Sequence, residues 1–446
     1  MEKIKAKPIE TLKTVIISVL TVSMLLLAGI YIGGSQFLSN SAAINAEDLP
    51  DGAVKIGDTS PIETSLYEKN LLAISFAGIR YGEQGGGTYG NEPAARDMLE
   101  FAAEPIHSCL SSSATITVVS DSDFHNMIAD NRYIYISLLS PLPYQIVYAL
   151  TGEYVAAAGS ENAISAEVLL LCADSEGKAS LCIKSGDKYY LAKSDYSFNL
   201  PELSAMALDS RLTDFSIKEN GVPLSDTSPH TQTISLSHSE MPRGESYSNL
   251  LNLLEYDSGI NDTNTSIVAP HGTLLISDTS LLYTASQNSG IELSNFLENS
   301  KSNLDIDTYD ILLASVSLAE QLRNTVPEKT GGALSLYLDG FYRSDDTYTV
   351  VFGIAESNIP IFGDALPYLM RVTVSSGRFK SIDLRFVGAE RSGYTVSPFP
   401  SRWKYNYASK TNSISSLALL YRADSLDAPE LNALWYFIRT KEEVAK

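Results

Sequence analysis

Serine and lysine recur in this chain at spacings that can support acyl transfer. Ser175-Glu176-Gly177-Lys178 and Ser185-Gly186-Asp187-Lys188 both fit S-x-x-K, in which a lysine takes the proton of a serine nucleophile. Ser197-Phe198-Asn199 and Ser286-Gln287-Asn288 fit S-x-N, and Lys329-Thr330-Gly331 fits K-T-G ahead of a strand. That chemistry needs the serine at a helix start, where the lysine one turn on can reach its hydroxyl. Both S-x-x-K segments instead fall in the turns of a strand meander. A serine-rich chain also produces such short patterns by chance. A penicillin-binding-like serine enzyme is therefore kept only as a remote alternative.

The other reactive side chains are dispersed. His107, His125, His230, His238 and His271 stand in no H-E-x-x-H, and no G-x-S-x-G is present. Asn303 to Asp310 (NLDIDTYD) resembles the start of a calcium loop. Thr308 replaces its glycine and Ala314 its glutamate, so the segment reads better as an acidic cap on a following helix. Tyr81 to Arg96 (YGEQGGGTYGNEPAAR) lacks the Lys-Ser/Thr pair of a phosphate loop and reads as a flexible loop. Cys109, Cys172 and Cys182 are too few for a disulfide scaffold. Cys172 and Cys182 flank an expected hairpin turn, where either a bridge or two buried thiols is open. No spacing points to a metal site, and no cofactor is expected.

The elements that position these residues begin with the N-terminus. Lys3, Lys5, Lys7 and Lys13 precede an uncharged stretch, residues 14–34, holding VIISVLTVSMLLLAGIYI. At ~1.5 Å per residue a helix of this length spans a bilayer core of about 30 Å. Lysines before it, and none after it until Lys55, place residues 1–13 in the cytoplasm and the body outside the cell. A cleaved signal peptide is the rival, but its best small-x-small site, Ser41-Ala42-Ala43, lies well beyond the apolar run. Within the span, Thr14, Ser18, Thr21, Leu25 and Ala28 recur at three- and four-residue steps as a stripe, and Gly29 to Gly33 form a G-x-x-x-G at the outer end; Ser18, Thr21, Ala28, Gly29 and Gly33 are the small residues that let helices approach closely in lipid. They are the candidate contacts to a membrane partner.

The chain of 446 residues carries a formal charge of −21. The N-terminal segment is basic, so the body is still more acidic. Such a body is repelled by nucleic acid, which is rejected as a partner. Residues 35–60 read as a linker, 61–217 as a first α/β domain, 218–247 as a polar, proline-bearing linker, and 248–446 as a second α+β region, strand-rich from 333 to 388. Helices are predicted over 93–110, after Ser120 or Ser122, over 248–256 and over 308–325. Strands are predicted at 114–120, at the start of 132–152, and as a meander from Glu167 to Asp195. Ile382, Leu384 and Phe386 alternate with Ser381, Asp383 and Arg385, the mark of a strand with one buried face. Two helices are predicted to close the chain, around Ser415 to Arg422 and Ala428 to Arg439. The expected fold class is α+β, a transmembrane helix followed by antiparallel sheets packed with helices.

A basic tail, one apolar helix and an acidic multi-domain body are combined here with a strand-Pro-x-Pro-helix step (SPLPYQIVYALTG) and a late hairpin (YLMRVTVSSGRFKSIDLRF). In these features the chain resembles the YycH/YycI-type regulators of the WalK/WalR (YycG/YycF) two-component system of Gram-positive bacteria. The resemblance implies a non-enzymatic extracytoplasmic protein that assembles with a membrane sensor histidine kinase and modulates signalling to cell-wall metabolism. It also implies a second single-span regulator of the same type as a candidate partner. The alternative is a surface-anchored module that binds cell-wall polymer or another exported protein.

Overall fold

Alternating apolar and polar residues build two large sheets. The computed structural model describes residues 71–438 except 91, 112–115, 153–163, 219–220, 258, 261, 263–264, 298–305, 327–333, 409–415 and 428–429. Among the described residues no helix is long and apolar enough to cross a membrane. Segment 14–34 lies outside them, and with it Ser18, Thr21, Ala28, Gly29 and Gly33.

The first sheet has seven strands: β1 (Ile74–Tyr81), β2 (Gln84–Tyr89), β3 (Ile116–Val119), β4 (Arg132–Pro143), β5 (Ser165–Ala173), β6 (Lys178–Ser185) and β7 (Lys188–Ser197). Their order is β2-β1-β4-β5-β6-β7-β3, with every pair antiparallel. The expected meander is β5–β7. Helix α1 (Pro93–Leu110) packs its Ala95, Met98, Ala102 and Ile106 inward. These positions recur at three- and four-residue steps, which put them on one stripe. Helix α2 (Asp121–Ala129) starts at Ser120 with a reciprocal cap: Ser120 Oγ accepts from Asp123 N, and Asp123 accepts from Ser120 N. Helices α3 (Tyr144–Thr151) and α4 (Leu200–Ala207) complete this part.

Strand β2 corrects the expectation of a flexible glycine loop. Gly82 takes the positive φ of the turn between β1 and β2. Beyond it the glycines admit neighbours that side chains would exclude. A Cβ on Gly86 would lie 2.8 Å from Leu212 Cβ and 2.9 Å from the Thr213 carbonyl oxygen. Gly87 exchanges two backbone hydrogen bonds with Thr213, at 2.7 and 3.0 Å. The glycines are there for close packing.

The polar stretch 218–247, expected as a linker, contains β9 (Pro223–Ser225) and β10 (Thr231–His238). β9 pairs with β8 (Phe215–Ile217), and β10 pairs with the distant β20 (Val387–Val396). α5 (Glu245–Leu253) follows. The prolines allow this because they stand at a strand start or outside the ladders.

The second sheet has eleven strands: β11 (Ser266–Ala269), β12 (Gly272–Ile276), β13 (Ser280–Ala285), β14 (Ile291–Glu292), β15 (Leu334–Ser344), β16 (Thr347–Glu356), β17 (Ile359–Phe362), β18 (Met370–Ser375), β19 (Arg378–Arg385), β21 (Ser416–Arg422) and β22 (Ala433–Ile438). The path runs β11-β12-β13-β19-β18-β16-β17-β21-β22, with β15 beside β16 and β14 beside β19. Among the described residues of this sheet, only the β17–β21 pair is parallel. Helix α6 (Thr308–Thr325) crosses β16 and β18 on the inner face. Its N-cap is Asp307, paired reciprocally with Asp310, so the calcium-loop fragment is a helix cap as expected.

Strands β21 and β22 overturn the two closing helices. LALLYR and ALWYFI have enough apolar residues to satisfy either period, and short apolar runs do not discriminate. The deciding contact is nonlocal. The edge of β17 accepts β21 through Ile361–Tyr421 and Phe362–Arg422, and β22 then pairs back on β21. The chain is thus α+β with antiparallel sheets. One buried cluster runs from Leu71 and the β1–β7 strands through to Trp435.

A candidate partner-binding face

The residues with catalytic spacing are not brought together. Ser175 lies in the β5–β6 turn, where Asp174 Oδ1 accepts from the backbone of Glu176 and Lys178 (both 2.8 Å). Lys178 Nζ donates to the Asp195 carbonyl at 2.7 Å and so turns away from Ser175. Ser185 and Lys188 end adjacent strands around Gly186, in a two-residue turn with positive φ. Asn199 accepts at α4 as its cap. Ser286 and Asn288 follow β13, and Lys329 to Gly331 lie outside the described residues.

The histidines occupy separate places. His107 stacks on Tyr148 at 3.9 Å, His125 faces Asp121 at 3.4 Å, His230 meets Ser397 at 3.1 Å, and His271 meets the Leu254 carbonyl at 3.1 Å. Among the described residues no three His, Cys, Asp or Glu side chains are placed to hold a metal ion. Cys109, Cys172 and Cys182 are buried free thiols. Cys172 is opposite Ser180, and Cys182 opposite Leu170, so the two are diagonal neighbours. Burial pushes Cys109 and Cys182 up to about 12.

A groove of about 350 Å³ runs between α1 and α4. Its acidic wall is already answered: Arg211 reaches Asp97 at 2.7 Å and Asp209 at 2.5 Å. The groove therefore offers little unspent charge.

The outer face of the second sheet differs. The inner face buries Val350, Phe352, Met370, Val372, Ile382, Leu384, Leu281 and Tyr283. Alternation sends their neighbours outward. Strand register lines these neighbours up in two rows across seven strands. One row reads Tyr342, Thr349, Thr373, Ser381, Thr284, Thr273, Val268. The next reads Gly340, Val351, Arg371, Asp383, Leu282, Leu275, Ser266. Adjacent strands are about 4.8 Å apart, so five serine and threonine hydroxyls stand at regular intervals in the first row. Val268 is 77 % exposed, Tyr342 46 %, Leu275 45 % and Leu282 39 %. Val268, Leu275 and Leu282 stand on three adjacent strands, unlike scattered surface hydrophobics, while Tyr342 is four strands away from Leu282.

One polar cluster interrupts the face. Tyr368 donates its hydroxyl to Asp383 Oδ2 at 2.6 Å. Arg371 Cζ lies 4.1 Å from the Tyr368 ring centre and Arg385 Cζ 5.7 Å. Burial, reinforced by the bond to Asp383, pushes the Tyr368 phenol above its usual value, so it remains a donor. Alternation in the sequence placed Asp383 and Arg385 opposite the buried face of their strand. It did not show that they converge on Tyr368, because convergence depends on the β18–β19 register. No protein-family model, curated protein or solved structure matches the chain.

Proposed function

We propose that this protein is a non-enzymatic, membrane-anchored extracytoplasmic regulator that binds a sensor histidine kinase and modulates two-component signalling to cell-wall metabolism. The body contacts its partner through the outer face of the second sheet. Residues 14–34 anchor it as a single span, with Ser18, Thr21, Ala28, Gly29 and Gly33 as helix contacts. The observation that carries the reading is the outer face itself, with Val268, Leu275 and Leu282 exposed side by side on β11–β13 and Tyr342 exposed at the other end, on β15. The YycH/YycI-type resemblance supplies the class of partner. The placement of Ser175 and Ser185 in hairpin turns favours a binding protein over a serine enzyme. The energy required is modest, since a tenfold shift in a kinase equilibrium takes about 1.4 kcal/mol of differential contact.

The test is detergent co-purification from native membranes with mass spectrometry of the bound proteins. Three forms are compared: the intact chain, a form with Val15 to Ile32 replaced by poly-leucine, and Leu275→Asp/Leu282→Asp. A histidine kinase recovered with the intact chain, and lost with either altered form, supports the reading and locates the contact. If no kinase accompanies the intact chain, the regulator reading fails and the wall-polymer module takes its place.

A further inference from the structure

Strand β11 ends the second sheet, and among the described residues no strand pairs on its far side. Backbone hydrogen bonding fixes which of its residues face that side. Ile276 N donates to the Thr265 carbonyl at 2.9 Å, so Ser266 and Leu275 are opposite each other without mutual hydrogen bonds, and Ile267 bonds Leu274. Ile267 and Ala269 therefore spend their N–H and C=O groups on β12. Ser266 and Val268 turn theirs to the open edge. Native edges are guarded by charges, prolines or bulges. β11 (SIVA) has none of these, and Val268 is the most exposed large apolar side chain among the described residues. The charge pattern is a second observation. β11, β12 and β13 hold no Asp, Glu, Lys or Arg, in a chain that is 19 % charged and carries −21.

We infer that this edge takes a second copy of the chain, with β11 antiparallel to β11 about a two-fold axis centred on Ile267. The register is self-complementary. Ser266 of one copy lies opposite Val268 of the other, and Val268 opposite Ser266, so every N–H and C=O turned to the edge finds its counterpart without an offset. Two acidic bodies repel each other, and these uncharged strands put no carboxylate in the pairing edge. A partner chosen by charge would find nothing to hold there. Residues directly opposite share a side of the sheet, so the axis stands perpendicular to it and both outer faces look the same way. Val268, Leu275 and Leu282 of the two copies then join into one apolar strip, larger than either copy offers alone. Pairing over one short strand is weak by itself. The span proposed for residues 14–34 holds copies in one membrane and raises their effective concentration. The inference goes beyond the regulator reading, since the pairing itself needs no kinase.

The test uses the full-length chain in detergent micelles. Ser266→Cys and Val268→Cys are purified separately, mixed and oxidised, and disulfide dimers are read on non-reducing gels. The native cysteines are buried and stay out of the reaction. Opposite residues of such a pair lie about 5.5 Å apart at Cα, within disulfide range. The mixture is expected to give several times more disulfide dimer than either variant alone. Val268→Pro removes an N–H turned to the edge and none that bonds β12. In sedimentation velocity it is expected to weaken self-association tenfold or more. Val118→Lys, on the similarly exposed edge strand β3, is expected to change nothing. Salt is expected to tighten the dimer several-fold by screening the repulsion between the bodies. Near-UV circular dichroism checks each fold. If Val268→Pro fails to fold, Val268→Glu, which sets a carboxylate on the edge of each copy, is read in its place. A monomer at every concentration overturns the pairing, and so does equal crosslinking by the mixture and by either variant alone. A dimer left intact by the folded edge variant also overturns it and assigns association to residues 14–34. A dimer that loosens as salt rises overturns the uncharged edge as its basis. Because the readout is self-association, these outcomes are separate from kinase recovery.

Discussion

Arg391 on β20 donates from Nε to Glu356 Oε1 at 2.6 Å, at the end of β16. Glu356 is 1 % exposed, and its second oxygen has no partner. The pair ties the β10–β20 ribbon to the main sheet. Arg391→Met is expected to leave a buried carboxylate without its cation. Loss of a fully buried pair costs about 3–5 kcal/mol. Arg391 is 41 % exposed, so a loss on the order of 2 kcal/mol is expected here. Urea unfolding checks this. Glu356→Gln with Arg391 retained is expected to cost less.

The two sheets meet where β4 and β15 both bulge, and there Ser140 donates its hydroxyl to Asp339. Two backbone bonds flank the contact, Leu338 N to Leu71 O and Leu139 N to Ala73 O, each 2.9 Å. Burial raises the Asp339 carboxyl, and the Ser140 bond offsets this in part. Tyr337 and Tyr342 are the titratable groups within its electrostatic reach. Because the folded value lies above the unfolded one, the folded state holds its proton longer. Stability from this group is greatest below the unfolded value of about 3.9 and is lost as pH rises through the raised folded value. Asp339→Asn is expected to flatten that part of the stability–pH curve. Ser140→Ala is expected to destabilise by about 1–3 kcal/mol at neutral pH, where the buried carboxylate loses its donor.

Gly86→Ala is expected to destabilise by about 1–3 kcal/mol, because the new methyl meets Leu212 and Thr213. Thermal unfolding reads the loss. The equivalent change at exposed Gly82 leaves packing untouched and strains only a positive φ, so the smaller effect is expected there.

The three thiols are expected to resist iodoacetamide in the folded protein and to react after denaturation. Burial holds Cys109, Cys172 and Cys182 protonated at neutral pH. Mass spectrometry of alkylated peptides counts them. Reductant is expected to leave the melting temperature unchanged, since no disulfide closes any loop.

Ser175→Ala and Ser185→Ala are expected to leave kinase co-purification at wild-type level, and a labelled β-lactam is expected to leave the chain unmodified. Lys178 is turned away from Ser175, and Ser185 stands at a two-residue hairpin turn rather than at a helix start. Covalent labelling at either serine would revive the enzymatic alternative.

Elements whose cause is local were legible in the chain. Helix α1 over 93–110, α6 over 308–325, the Ser120 cap, and the burial of Ile382, Leu384 and Phe386 each follow from periodicity or from a residue three positions away. What only tertiary structure decided depends on partners far along the chain. LALLYR and ALWYFI became strands because β17 offered an edge. The glycines of β2 became a strand because they pair along β1, and Thr213 then bridges to Gly87. The polar stretch around Thr231–His238 became β10 because Val387–Val396 paired with it. The candidate face divides in the same way. Which residues of β18 and β19 point outward could be read from alternation alone. That Arg371, Tyr368 and Arg385 gather around one ring, in line with hydroxyls from neighbouring strands, could not. A one-residue change of register sends each side chain to the other face, and register is set by the packed sheet rather than by any single strand.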